Sequence, residues 1–219
     1  MGALETVQGV IVTGAAVAGA YAALSGVSAW RRQLTGKTEY DVGLTVLRAT
    51  YKVRESIAVA RQPFISAEEM SAALKETRPD GEGGVSDDWN EKVNQGTAAT
   101  YQVRWRVVSD AVQDLDVARI EAEVVWGSAA AEPIFSLRKC VAKLNWALTD
   151  YLRELSDPTG MAATERKGLR AIMYAVGADG DTFGGEIDAA VTTIEQFVRP
   201  KLGRKLRQPN KGIEQNAKR

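Results

Sequence analysis

Arg54 and Arg119 raise the first chemical question, because helical spacing places both on otherwise apolar seams. A guanidinium left alone there would be costly. Each therefore implies an ion pair, with Glu55, Asp116 and Glu123 close in sequence, or an anion pocket inside a helical bundle. The ion pair, or a packed stem with its head in water, is the simpler reading. Trp89, Trp105, Trp126 and Trp146 could stack on a base or a ligand, but at helical spacing they are expected in a bundle core. Cys140, beside Lys139, is expected to be a small buried residue. The chain has no histidine, which removes the usual general base, the usual proton shuttle and the commonest zinc ligand together. No nucleophile, base or metal set can be assembled by spacing. The pattern implies a non-enzymatic protein with no catalytic, cofactor-binding or metal-ligating residue to assign.

Two glycine-containing stretches test that conclusion. Asp179-Gly-Asp181-Thr-Phe183-Gly184 is similar to the start of an EF-hand calcium loop. Its fifth ligand position would be Phe183 and its twelfth Ala190, so it cannot supply the six or more oxygens calcium needs. A turn and a helix start are expected instead. Val10-Ile-Val-Thr-Gly14-Ala-Ala-Val-Ala-Gly19 resembles the strand and glycine turn of the short-chain dehydrogenases. In that pattern the two later glycines would fall at Ala18 and Ala20. No second strand ending in an acid follows, so the βαβ unit that gives the motif meaning is missing.

The same residues have a different use. Val7 to Trp30 carries no charged side chain. At ~1.5 Å rise per residue it is long enough to cross a ~30 Å hydrocarbon core as one helix. Arg31, Arg32 and Lys37 follow at once, while Glu5 is the only charged side chain before it. The positive-inside rule then puts the amino terminus outside and the remainder in the cytoplasm, with the chain in the inner or plasma membrane. Trp30 falls where the span would meet the headgroups, and with Arg31, Arg32 and Lys37 it forms an interfacial anchor on lipid. A signal peptide would want a basic start and a shorter apolar core. Gly14, Ala18 and Ala22, and likewise Ala15, Gly19 and Ala23, recur at four-residue spacing, which lets two membrane helices approach closely.

Beyond that span a polar remainder is large enough for one core. Formal net charge is zero among 219 residues, so no global basic field argues for nucleic acid. The single cysteine excludes an internal disulfide. A basic juxtamembrane turn is expected over 31–37, then a helix over 38–61 with Tyr40, Leu44, Leu47, Tyr51 and Ala58 inward, ended by Pro63. Ser66-Ala-Glu-Glu69 is a capping box opening a short helix to Thr77. Residues 78–88 read as a mobile loop rich in Gly and acids. From Trp89 a helix is expected to Trp126, with Tyr101, Trp105, Val108, Val112, Leu115, Arg119, Ala122 and Trp126 on its seam. Ile134, Leu137, Val141, Leu144, Leu148, Tyr151 and Leu155 repeat the pattern over 133–156. Two such faces predict an antiparallel, coiled-coil-like hairpin. A weaker helix covers 164–176, and a last one over 186–202 presents Ile187, Val191, Ile194 and Val198.

The expected architecture is therefore all-α. A short extracytoplasmic N-terminus (1–6) leads into a single transmembrane helix (7–30), followed by an antiparallel helical bundle (38–202) and a basic disordered tail (203–219). Small-residue and heptad faces imply self-association or a protein partner at the membrane. The rival readings are a sensor bundle gripping an anion through Arg54 and Arg119, and a small membrane-active defence protein.

Overall fold

The computed structural model describes the backbone over 3–78, 88–156, 161–175 and 180–203, with side chains described at Gly26, at Trp30 and from 33 onward in those stretches up to 202. The described residues are all-helical: α1 (Ala3–Ala60), α2 (Ala67–Thr77), α3 (Trp89–Trp126), α4 (Ala131–Ser156), α5 (Ala163–Met173) and α6 (Thr182–Gly203), with a 3-10 turn at Ser128–Ala130. Packing divides the chain into two units, one holding Val42–Lys201 and the other the chain up to Asp41 and from Leu202.

In the smaller unit the backbone from Ala3 is helical. The turn expected over 31–37 does not form. Arg, Gln and Leu in that stretch are good helix formers, and one Gly36 costs only about 1 kcal/mol against them. Thr38 Oγ1 donates back to the Leu34 carbonyl at 3.2 Å. Trp30, Leu34 and Lys37 are exposed. The side chains of Gly14, Ala15, Ala18, Gly19, Ala22, Ala23, Arg31 and Arg32 lie outside the described residues, as do 79–87 and the tail from 204. Among the described residues no helix is long and apolar enough to cross a membrane.

The larger unit is a helical bundle. Asn94 donates to the Leu155 carbonyl, Tyr101 meets the Tyr151 ring, and Asp116 pairs with Arg138, so α3 and α4 run antiparallel. The reversal between them is made at Gly127, whose φ of +80° suits glycine. Tyr51 with Glu195 and Arg61 with Asp181 place α6 antiparallel to the end of α1. α2 packs on α3 and α5 on α4. Gly96 permits the first contact, because a Cβ there would lie 3.1 Å from the Met70 side chain.

The α6 seam is as expected: Ile187, Val191, Ile194 and Val198 are all buried. In α4, Ile134, Leu137, Leu144 and Leu148 are buried, while Val141, Tyr151 and Leu155 are half-buried and Cys140 and Ala147 turn inward. Two seams are rotated. In α1 the buried stripe is Val42, Val46, Ala49, Val53, Ile57 and Ala60; Leu47 is buried as expected and Leu44 half-buried, whereas Tyr40 and Ala58 are exposed and Tyr51 and Arg54 half-buried. In α3 it is Tyr101, Arg104, Val108, Ala111, Leu115, Ala118 and Ala122. Tyr101, Val108, Leu115 and Ala122 belong to both the expected and the observed register. The intervening positions are filled by Ala111 and Ala118 instead of Val112 and Arg119, because small side chains let neighbouring helices approach closely.

Candidate ligand cleft

The loop after α1 is held by two buried arginines that sequence spacing did not single out. Arg104, 5% exposed, reaches out of α3. Its Nε and Nη2 donate to the two Glu69 carboxylate oxygens at 2.8 and 3.0 Å. Its Nη1 and Nη2 donate to the carbonyls of Gln62 and Phe64 at 2.7 and 3.0 Å. This explains a departure in the α2 cap. Ser66 Oγ accepts from the Glu69 amide at 3.1 Å as expected. The Glu69 side chain is drawn to Arg104.

Arg61, its side chain 4% exposed, repeats the scheme at the end of α1. Nε donates to the Ile172 carbonyl and Nη2 to that of Tyr174, at 2.8 and 3.0 Å. These carbonyls belong to the last turn of α5 and the residue that ends it, where positive charge also complements the helix dipole. The remaining bonds go to both Asp181 oxygens at 2.9 and 2.6 Å. Asp181 in turn caps α6, accepting from the Gly184 amide at 2.8 Å. A Cβ at Gly184 would stand 2.3 Å from an Asp181 oxygen, so this approach requires glycine. The Arg61 hydrogen bonds hold the Asp181 carboxyl below its ordinary pKa. Arg61 thus joins the end of α5 to the start of α6, and Asp181 serves as a helix cap and ion-pair partner.

Beside this knot, α4, α5 and the start of α6 enclose a cleft of about 1320 Å³. Its lining combines aromatic rings, Tyr151, Tyr174 and Phe183, with Lys143, Arg166, Lys167 and Arg170. Two carboxylates, Glu154 and Glu186, also line it. Glu154 pairs with Arg166, and Glu186 takes Lys143 at 2.8 Å. Tyr151 meets Tyr174 edge to face at 6.3 Å between centroids, and Tyr101 stacks the same way on Tyr151 at 5.5 Å. Burial, and then the hydrogen bond with Tyr174, push the Tyr151 hydroxyl well above its usual pKa. The Tyr151 phenol therefore stays protonated across the physiological range.

The arginines singled out by spacing are not brought together. Arg54 pairs with neighbouring Glu55 at 3.0 Å and lies 5.3 Å from the Tyr51 ring centroid. Arg119 pairs with Glu123 and Asp116 and covers the Phe135 ring. Both are ion pairs towards the edge of the bundle, and neither lines the cleft. Arg54→Met and Arg119→Met should each change stability by less than about 1 kcal/mol. Urea unfolding monitored by circular dichroism checks this, and a loss of several kcal/mol would reveal a buried role.

The tryptophans do not fill the core either. Trp89 and Trp146 are exposed, whereas Trp105 and Trp126 are half-buried. Trp126 meets Phe197 edge to face, with the Lys201 ammonium 5.2 Å and 4.3 Å from the two ring centroids. Cys140 is buried, and burial raises its thiol pKa. No family model matches the chain, and no curated protein and no solved structure is significantly similar to it.

Proposed function

We propose that this chain is a non-catalytic interaction protein, held at a membrane by Val7–Trp30, whose helical bundle offers a docking surface to a protein partner or a second copy. The observation that carries the docking role is the outer face of α3. Val117, Ile120 and Val124 share that face by spacing and are all exposed, Val124 to 82%. Trp146 on α4 is 71% exposed. β-Branched and aromatic side chains left in water at helical spacing mark interaction surfaces more often than scattered single residues do. The anchor rests on the uncharged run and the cations that follow it. In this reading the bundle lies on the cytoplasmic side, and Trp30, Arg31, Arg32 and Lys37 meet the headgroups.

A reporter active on one side of the membrane, fused to the carboxyl terminus, tests the anchor. A cytoplasmic signal with the full-length mass retained and the chain in the membrane fraction is the expected result. Recovery in the soluble fraction, or a shortened product, would remove the anchor from the proposal. Cross-linking in cells then tests the docking role, and Ile120→Glu with Val124→Glu should abolish the main cross-linked species.

A further inference from the structure

The chain enters the Val42–Lys201 bundle and leaves it at the same end. Tyr51 donates to Glu195 and Arg61 to Asp181, so the α1 turns towards Val42 lie beside the last turns of α6. Trp126, which closes α3, meets Phe197, and the Lys201 ammonium lies over both rings. Val42, Trp126 and Lys201 therefore mark one end of the bundle. Charge divides at these two crossing points. The bundle holds 19 Lys and Arg against 24 Asp and Glu. After it, Arg204, Lys205, Arg207, Lys211, Lys218 and Arg219 stand against Glu214 alone. Before it, Arg31, Arg32 and Lys37 stand against Glu39 and Asp41. These totals count every residue of each stretch, so they hold whatever pairs form locally.

We propose that residues 203–219 bind an anionic lipid surface, so that the acidic bundle stands on the membrane by its Trp126 and Lys201 end. This contact rests on the membrane reading above and adds to it a requirement for lipid charge. A basic stretch joined to one end of an acidic body makes the molecule dipolar, and an anionic surface attracts that end and repels the rest. Each cation held close to such a surface strengthens binding by roughly fivefold. Trp126 and Phe197 beside Lys201 also give this end the aromatic and basic pairing that suits headgroup depth. Reach favours lipid over another polyanion. In the membrane reading Arg31 and Arg32 sit at the headgroups, and even a fully extended chain keeps Val42 within roughly 40 Å of them. The cations that follow Lys201 leave from that same end.

The test uses the full chain with buried Cys140 changed to alanine and one cysteine introduced at a time, Asn210→Cys or Phe64→Cys. Phe64 is 76% exposed on the connection after α1, at the opposite end of the bundle. A dye on each cysteine transfers energy to acceptor-labelled lipid, in vesicles of phosphatidylcholine alone or with about 30 mol% phosphatidylserine. The anionic lipid should raise transfer from position 210 at least about twofold. The rise should vanish near about 1 M salt, where the screening length is ~3 Å. Transfer from position 64 should stay low on both membranes. Arg204→Gln, Lys205→Gln and Arg207→Gln together, all outside the bundle, should remove the rise. Equal transfer from position 210 on both lipids overturns the contact, and a signal that answers to added DNA instead assigns the cations to nucleic acid and overturns it too. High transfer from position 64 overturns the upright bundle. Sedimentation of the same samples separates this contact from the anchor. A chain that pellets with neutral vesicles but shows no response to lipid charge keeps the anchor and loses the contact. One that pellets only with anionic vesicles, reversibly in salt, keeps the contact and loses the anchor.

Discussion

Arg61→Met is expected to destabilise the bundle by roughly 3–5 kcal/mol, the usual loss when one partner of a buried ion pair is removed. The side chain makes four hydrogen bonds and its removal strands three acceptors. The Asp181 carboxylate keeps the Gly184 amide but loses its counter-ion, and two carbonyls at the end of α5 lose their donors. For a domain stable by ~5–15 kcal/mol this is a large fraction. A chain of this length should lose roughly 6–20 °C in unfolding temperature. Arg61→Lys should recover little, because one ammonium cannot span two carbonyls and a carboxylate. Asp181→Asn alone should cost less, and in the double variant the losses should not add. Additive losses would show that the two groups act independently.

The same pair has a pH signature whose sign follows from Asp181. Its folded pKa lies below the ordinary carboxylate value. It therefore contributes stability that is fully present above the unfolded pKa of ~3.9 and is lost as pH falls through the folded one. Acid unfolding of the Arg61→Met variant should show a shallower dependence below about pH 4 than the unaltered chain, because the group that depresses the pKa has gone. Parallel acid limbs would remove Asp181 from the account.

The helix boundaries were legible where a local rule acts. Ser66 and Pro63 marked the start of α2 and the end of α1, and the heptad positions of α6 were all apolar and all buried. The α3 register was ambiguous, because Tyr101, Val108, Leu115 and Ala122 fit two stripes. A strict four-three alternation from Tyr101 gives the one containing Trp105 and Val112. Packing chose the one containing Ala111 and Ala118, since small residues let a helix in the middle of a bundle meet its neighbours closely. That rotation moves an arginine. It turns Arg119 to the edge, where it pairs with Asp116 and Glu123 as its spacing implies, and buries Arg104, which that spacing does not single out. Arg61 was hidden for another reason: its partner Asp181 is 120 positions away, beyond any periodicity. The cleft is illegible for the same cause, being assembled from α4, α5 and the start of α6. Only the run Arg166-Lys167-Gly168-Leu169-Arg170, three cations around a helix-weakening glycine, hints at it in sequence.

Arg104→Met should cost about 3 kcal/mol or more by the same mechanism, and the damage should be local to α2. Arg104 is what holds the 61–66 connection to α3, through the carbonyls of Gln62 and Phe64, and it fixes Glu69 in the first turn of α2. Ala73 is the one buried residue of α2, so apolar burial alone holds this short helix weakly. Hydrogen exchange should therefore show α2 amides losing protection far more than those of α6. Glu69→Gln separates charge from geometry: it keeps an acceptor for the guanidinium, and about 1 kcal/mol should be lost. Ser66→Ala removes only the cap and should cost about as much. If Arg104→Met left α2 protection unchanged, the knot would be a consequence of the packing of α2 on α3 and not its cause. The contact at Gly96 and Met70 would then have to carry that packing, and Gly96→Leu, which forces Met70 to move, would become the variant that detaches α2.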